Sequence, residues 1–79
     1  MVIVYAIKSI HRNYIYVGLT IELRTRILRH NRGGHKTTRP YAPFFLIHTK
    51  GFNSVREARY YEKYLKSGCG KEYLKSLPI

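Results

Sequence analysis

Two short apolar segments open the chain and are separated by a polar stretch. Residues 2–8 and 14–19 are rich in β-branched and aromatic side chains, which favour β-strands. The polar stretch from Ser9 to Asn13 is typical of a hairpin loop. The pattern therefore predicts two antiparallel strands at the start of the chain.

A helical pattern follows the second strand. Thr20 can cap a helix that starts at the next residue, and Leu23 and Ile27 have the i,i+4 spacing of one helix face. Two glycines at the start of residues 33–43 predict the end of this helix, and the rest of that segment has the composition of a loop. Residues 44–49 then predict a third strand, followed by a turn.

A second helix is predicted over residues 55–66. Ser54 and Glu57 have the spacing of a capping box at its start. Gly68 and Gly70 are expected to end it, because glycine is a poor helix former. Its predicted apolar face consists of Val55, Ala58, Tyr61 and Leu65.

The length of the chain fits one domain. A chain of 79 residues forms one domain at most, and no repeat or linker marks a boundary within it. We therefore expect residues 1–79 to form one α+β domain, with a three-stranded antiparallel sheet flanked by helices in the order β-β-α-β-α-(α). The last helix is predicted over residues 71–77.

The charge of the chain predicts a polyanionic partner. Fifteen Lys and Arg residues face four acidic ones, which gives a formal net charge of +11. A counter-charged partner relieves the resulting self-repulsion, and nucleic acid is the partner that we expect. No membrane partner is expected, because no segment is an amphipathic helix with a broad apolar face. The single cysteine, Cys69, fits a reducing compartment, and the cytoplasm is the expected location.

Glu62 is an anomaly on the second predicted helix. At 100° per residue it falls within the apolar stripe that contains Ala58 and Leu65. A carboxylate in such a place is usually ion-paired, hydrogen-bonded or bound to a metal. The alternative is an ion pair with Lys66 or Arg59 on a solvated face.

Basic residues on the first predicted helix fall into two groups. Arg26 and His30 are four residues apart at the edge of the apolar stripe, so both can point along the sheet surface. The other basic residues of this helix and the following loop fit a face that tracks backbone phosphates. We predict that these bind nucleic acid, namely Arg24, Arg29, Arg32, Lys36 and Arg39.

Motifs along the chain resemble those of the GIY-YIG nuclease family. Ile3-Val4-Tyr5 and Tyr16-Val17-Gly18 stand ten residues apart, and Arg26, His30 and Glu62 follow in order. Residues 57–63 have the form Glu-Ala-x-x-x-Glu-Lys, and the resemblance runs nearly end to end. Two departures are that Ile3 stands where the family motif has glycine, and that no asparagine follows Asn53, although some relatives carry a late active-site asparagine.

The resemblance implies a fold and an activity. The family's small domain is a three-stranded antiparallel sheet flanked by helices, used by homing endonucleases, some restriction enzymes and excinucleases. The implied activity is metal-dependent hydrolysis of DNA phosphodiester bonds by water, in DNA repair, recombination or mobile-element processing. The implied cofactor is a single Mg²⁺ or Mn²⁺ ion.

The resemblance also implies roles for particular residues. It makes Glu62 the metal ligand and Gly18 the motif glycine, and the catalytic residues that it implies are Tyr5, Tyr16, Arg26 and His30. Either tyrosine is a candidate general base, and His30 is an alternative proton acceptor. The two tyrosines share a face of the hairpin only if the numbers of paired residues sum to an odd value.

Two other functions fit the charge and size. One is a non-catalytic nucleic-acid-binding module on the same scaffold, and the other is a small structural protein of a ribonucleoprotein. RNA is the alternative to DNA as the partner. Metal binding at Glu62 distinguishes the nuclease from the binding module.

Overall fold

The computed structural model describes residues 1–78, and Ile79, the last residue of the predicted domain, lies outside the described residues. In chain order the elements are β1 (Val2–Ser9), β2 (Ile15–Thr20), α1 (Leu23–Asn31), a 3₁₀ turn (Arg39–Tyr41), β3 (Phe44–Phe52), α2 (Val55–Lys66) and α3 (Gly68–Ser76). This order confirms the predicted α+β fold, including the last helix.

The three strands form one antiparallel sheet in the order β2-β1-β3. Tyr5 of β1 lies opposite Gly18 of β2, so the numbers of paired residues add up to an odd value. Tyr16 therefore lies on the same face of the sheet as Tyr5, and the condition for a shared site is met. A register shift between Ala6 and Ile7 interrupts the pairing of β1 with β3.

Helices α2 and α3 cover one face of the sheet. Val4 and Ala6 of β1 are fully buried there against Ala58 and Leu65 of α2 and Leu74 of α3. Alternation along β1 places these two residues on the face opposite to Tyr5. This layer forms the larger of the two apolar clusters and fixes α2 against the sheet.

Helix α1 and the loop after it cover the other face. Tyr5 and Ile7 of β1 are fully buried there, with Leu23 and Ile27 of α1 packed against them. Phe44, the first residue of β3, is also buried in this cluster. The candidate catalytic residues of β1, β2 and α1 are thus brought to this face.

The starts of two helices differ from the predicted ones. Helix α1 starts at Leu23 rather than Ile21, because Thr20 remains in β2 and its hydroxyl accepts a hydrogen bond from the Glu22 amide at 3.0 Å. Helix α3 starts at Gly68 rather than residue 71, because Ser67 ends α2 and also caps α3. A side chain at Gly70 would collide with the α2 backbone, so this glycine permits the close junction of the two helices.

Two further expectations were wrong in detail. Strand β3 continues to Phe52, beyond the predicted end at residue 49. Val55 was expected on the apolar face of α2 but is 52% exposed, because it lies in the first turn of the helix. The predicted capping box at the start of α2 was correct, since the Ser54 hydroxyl accepts a hydrogen bond from the Glu57 amide.

Within residues 1–78, no helix combines the length and the apolar character needed to cross a membrane.

Candidate active site

Gly18 provides the space that the Tyr5 side chain occupies. The two residues are paired across β1 and β2, and the Tyr5 ring lies over the glycine. A Cβ atom at position 18 would lie 2.5 Å from the Tyr5 hydroxyl oxygen. The motif glycine is therefore required here for space rather than for backbone conformation, since its φ is not positive.

A buried hydrogen-bond chain holds Tyr5 and His30. The Tyr5 hydroxyl lies 2.8 Å from His30 Nε2, and His30 Nδ1 lies 2.7 Å from the Thr38 hydroxyl, which donates to the His35 carbonyl at 3.4 Å. Because the Thr38 proton is used in that bond, Thr38 accepts from Nδ1–H of His30. Nε2 of His30 is then the acceptor for the Tyr5 O–H.

Burial sets the protonation states of this pair. Burial raises the pKa of Tyr5 to about 12, and the neighbouring Tyr16 adds to the increase. Burial lowers the pKa of His30 to about 4, and the charges of His35 and Arg26 act in the same direction. At neutral pH Tyr5 is therefore a phenol that donates to an uncharged imidazole.

The depressed pKa of His30 predicts a loss of stability in acid. Between pH 6.5, the ordinary pKa of a histidine, and about pH 4, the unfolded chain binds a proton at this residue that the folded chain does not. The contribution to stability is fully present above pH 6.5 and is lost as the pH falls through about 4. The free energy of unfolding should fall by as much as about 3 kcal/mol over this window.

Urea unfolding at pH 7 and pH 4.5 measures this effect. The His30→Gln variant should show a flatter pH dependence than the wild type, whatever its absolute stability. The pKa of His48 is also lowered, by burial, but His48 is present in both proteins and its contribution cancels in the comparison. Equal pH slopes in the two proteins would contradict the assignment to His30.

Tyr16 completes a cluster of aromatic rings around His30. Its ring centroid lies 6.2 Å from Tyr5, 5.0 Å from His30 and 5.6 Å from His35, and Tyr16 is only partly buried. The His30 and His35 rings are 4.9 Å apart. Nδ1 of His35 is buried without a hydrogen-bond partner in the described part of the chain. The cluster therefore has a buried side, at Tyr5, and a partly open side, at Tyr16.

Arg26 on α1 and Glu62 on α2 both influence the pKa of Tyr5. The Arg26 guanidinium lies close enough to lower the pKa of Tyr5, and the Glu62 carboxylate on α2 raises it. Arg26 is partly buried, and the Glu62 side chain is 15% exposed. The structure thus brings Tyr5, Tyr16, Arg26 and His30 together and holds Glu62 within electrostatic reach of them.

Glu62 also makes the ion pairs expected of a structural carboxylate. Its oxygens lie 3.7 Å from Arg59 Nη1 and 3.3 Å from Lys66 Nζ. The two cations are 68% and 56% exposed, and exposed pairs of this kind contribute about 0–1 kcal/mol. Both cations can therefore turn into solvent without a large loss of stability.

The donor set suits a cation that takes few ligands from the protein. Among the described residues, no group of three or more His, Cys, Asp or Glu side chains is placed to hold a metal ion. Mg²⁺ commonly takes one or two carboxylates and fills its remaining positions with water and substrate phosphate. One partly buried carboxylate, with a substrate phosphate and water as further ligands, would fit that pattern.

The five residues predicted to bind nucleic acid are exposed and lie outside the buried cluster. They stand on α1 and in the segment after it, and they are Arg24, Arg29, Arg32, Lys36 and Arg39. Two of them are partly engaged with the backbone: Arg29 Nε donates to the Gly34 carbonyl at 3.4 Å, and Arg39 Nε donates to the Gly33 carbonyl at 2.8 Å. Their exposure is compatible with phosphate contacts.

Two residues of the site were missed by the sequence analysis. Thr38 is fully buried and fixes the tautomer of His30, and His35 packs between His30 and Tyr16. Both lie in the segment that was predicted only as a loop. A second histidine five residues after His30 was the available signal, but spacing in a loop does not determine where a side chain lies.

The fold and this cluster define a GIY-YIG domain. The chain matches the family model described as the GIY-YIG catalytic domain over residues 1–73, and it belongs to this family, which is of nuclease type.

Relatives of the chain are UPF0213 proteins. One, from Streptococcus pneumoniae serotype 4 (strain ATCC BAA-334 / TIGR4), is 44% identical over 52 residues, which are 65% of this chain. That match spans about half of the relative, 52% of its length. The solution NMR structure of a UPF0213 protein from Bacillus halodurans is 36% identical, with a TM-score of 0.56 over 96% of this chain and 84% of that one.

Proposed function

We propose that the chain, as one domain, is an endonuclease that hydrolyses DNA phosphodiester bonds with the help of one Mg²⁺ or Mn²⁺ ion. The convergence of Tyr5, Tyr16, Arg26 and His30 on one face of the sheet carries this proposal. A phosphodiester hydrolase needs a proton acceptor, a cation for the developing charge and a metal ligand. RNA is the alternative substrate. The location that we propose is the cytoplasm, because the lone cysteine, Cys69, fits a reducing compartment.

Glu62 and Arg26 have complementary roles in this proposal. Glu62 supplies one carboxylate oxygen to the metal ion, which when bound polarises a phosphate oxygen and lowers the pKa of water. Arg26 offers two N–H donors in a fixed fork and stabilises the charge that develops on the phosphate. Arg26 lies on α1 and Glu62 on α2, and the charges of both reach Tyr5, so we expect the phosphate at the open side of this cluster, beside Tyr16.

We assign the proton transfer to Tyr16 rather than Tyr5. Tyr5 is fully buried, its pKa is raised to about 12, and its proton is already donated to His30. It is therefore suited to orient its neighbours and poorly suited to accept a proton. Tyr16 lies on the open side of the cluster, where a water molecule can reach its hydroxyl.

A binding module without catalysis is the second candidate function. The observation that favours it is that Glu62 is already paired with Arg59 and Lys66. In that case the carboxylate orders two cations for phosphate binding and takes no metal ion. Nicking of DNA separates the two candidates.

Plasmid nicking tests the proposal. The wild type should convert supercoiled plasmid to the nicked form with Mg²⁺ or Mn²⁺ and not with EDTA. The Arg26→Lys variant keeps the positive charge but loses the two fixed N–H donors of the guanidinium. We expect its nicking rate to fall by about tenfold to a hundredfold.

The matched control is Arg24→Lys, on the exposed side of the same helix. It keeps the charge that a contact with a backbone phosphate needs, so it should nick at nearly the wild-type rate. Equal rates for the two variants would remove Arg26 from the proposed mechanism. No nicking by the folded wild type with either metal would leave the binding module as the function.

A further inference from the structure

A groove runs along the free edge of β2. This strand lies at one side of the sheet, so its outer edge has no partner strand among the described residues. Residues 13–17 form one wall of the groove, and the end of α2 together with α3 forms the other. Its volume is about 480 Å³, comparable to a small-molecule pocket.

Three lysines face this groove. Lys66 comes from the last turn of α2, and Lys71 and Lys75 come from α3. No acidic side chain is among the described residues that line it. Ammonium groups brought together in this way repel one another, and an anion bound between them relieves the repulsion.

Two tyrosines form part of the opposite wall. The Tyr14 ring is stacked on Tyr41, with centroids 3.8 Å apart and planes at 11°, so its orientation is fixed by packing. Tyr16 lines the same groove and also belongs to the ring cluster around His30. Lys66 in turn contacts Glu62, so the groove adjoins the candidate active site on both walls.

We propose that this groove binds a single-stranded segment of DNA and leads it to Tyr16. The phosphates of the bound strand lie against Lys66, Lys71 and Lys75, and its bases stack on the Tyr14 ring. A positively charged groove combined with aromatic side chains is the usual arrangement for binding unpaired strands. The small volume suits unpaired bases better than a base-paired duplex. Delivery to Tyr16 rests on the proposed nuclease function, and the binding itself does not.

Fluorescence anisotropy with a labelled oligothymidine in EDTA tests the binding. The Lys71→Gln/Lys75→Gln variant removes two charges from the groove. The control variant is Lys8→Gln/Lys50→Gln. It removes one lysine from β1 and one from β3, neither of which lines the groove, so the two variants have equal net charge. We expect the groove variant to bind at least about fivefold more weakly than this control, with a salt slope reduced by about 0.7 for each phosphate that is no longer neutralised.

Substitutions of Tyr14 test the aromatic wall separately. Tyr14→Phe should retain the affinity for the oligothymidine, whereas Tyr14→Leu should lower it about fivefold or more and leave the salt slope unchanged. Thermal unfolding of both variants verifies that they are folded, since Tyr14 also packs on Tyr41.

Three results would overturn the proposal: equal loss of affinity in the two double-lysine variants, unchanged affinity in folded Tyr14→Leu, or tighter binding of a DNA hairpin duplex than of the oligothymidine. Because the measurements contain EDTA, they do not depend on cleavage. A wild type that binds the strand through the groove but never nicks DNA would therefore refute the nuclease proposal alone.

Discussion

Replacing Glu62 by glutamine is expected to abolish metal-dependent nicking, with a rate at least about a hundredfold below that of the wild type. The substitution keeps the size of the side chain and removes its negative charge. It also removes the carboxylate proposed to hold the metal ion. Glu62 belongs to no group of three or more acidic, histidine or cysteine side chains among the described residues, so no preformed cluster replaces it. Initial rates of plasmid nicking at saturating Mg²⁺ measure the effect.

Glu72→Gln is the matched control for this substitution. Glu72 lies exposed on α3 and also has lysine neighbours, so its loss changes the net charge in the same way. Its nicking rate should stay within about twofold of the wild type, since surface substitutions change stability by about 0.5 kcal/mol or less. If Glu62→Gln nicks as fast as Glu72→Gln, the metal is not held at Glu62.

The stability of Glu62→Gln provides an independent measurement. Breaking two ion pairs whose cations are exposed should change the free energy of unfolding by only about 1 kcal/mol. A folded but inactive variant is therefore expected. Binding of Mn²⁺ in the presence of a DNA whose backbone resists hydrolysis should be weaker in Glu62→Gln than in Glu72→Gln. The relaxation rate of water protons measures this binding.

Local patterns were sufficient to predict most of the fold. β-branched and aromatic side chains identified the two hairpin strands, and the Ser54 capping box identified the start of α2 to the residue. The errors occurred where tertiary packing overrode a local signal. Thr20 has a cap-forming hydroxyl but stays paired with Ile3 in the sheet. Gly70 lies inside α3 rather than ending a helix, because its missing side chain lets α3 pack against α2.

The candidate site was predictable in its members but not in its chemistry. Motif order identified Tyr5 and Tyr16, and the hairpin register then placed both on one face. The tautomer of His30 depends on Thr38, which reaches it only because the loop folds back over α1. The difference between the two tyrosines, one buried with a raised pKa and one partly open, depends on that packing and was therefore left open by the sequence.

Gly18→Ala is expected to disrupt both the fold and the activity. The new Cβ would stand 2.5 Å from the Tyr5 hydroxyl oxygen and 2.6 Å from the ring carbon that bears it, so the whole phenol must move. Overpacking of this kind costs about 1–3 kcal/mol, and a displaced Tyr5 also leaves Nε2 of His30 buried without its donor. We expect the Tm to fall by at least about 4 °C and nicking to be lost at temperatures where the variant is still folded.

Two comparisons separate the loss of space from other effects of removing a glycine. Gly68→Ala, at the start of α3, has no atom within 4 Å of its new Cβ and should be neutral or slightly stabilising. In a Tyr5→Leu background the clash at position 18 is relieved, so Gly18→Ala should cost clearly less than it does in the wild type. An equal loss of stability in both backgrounds would mean that the glycine is needed for a reason other than the space that the Tyr5 ring occupies.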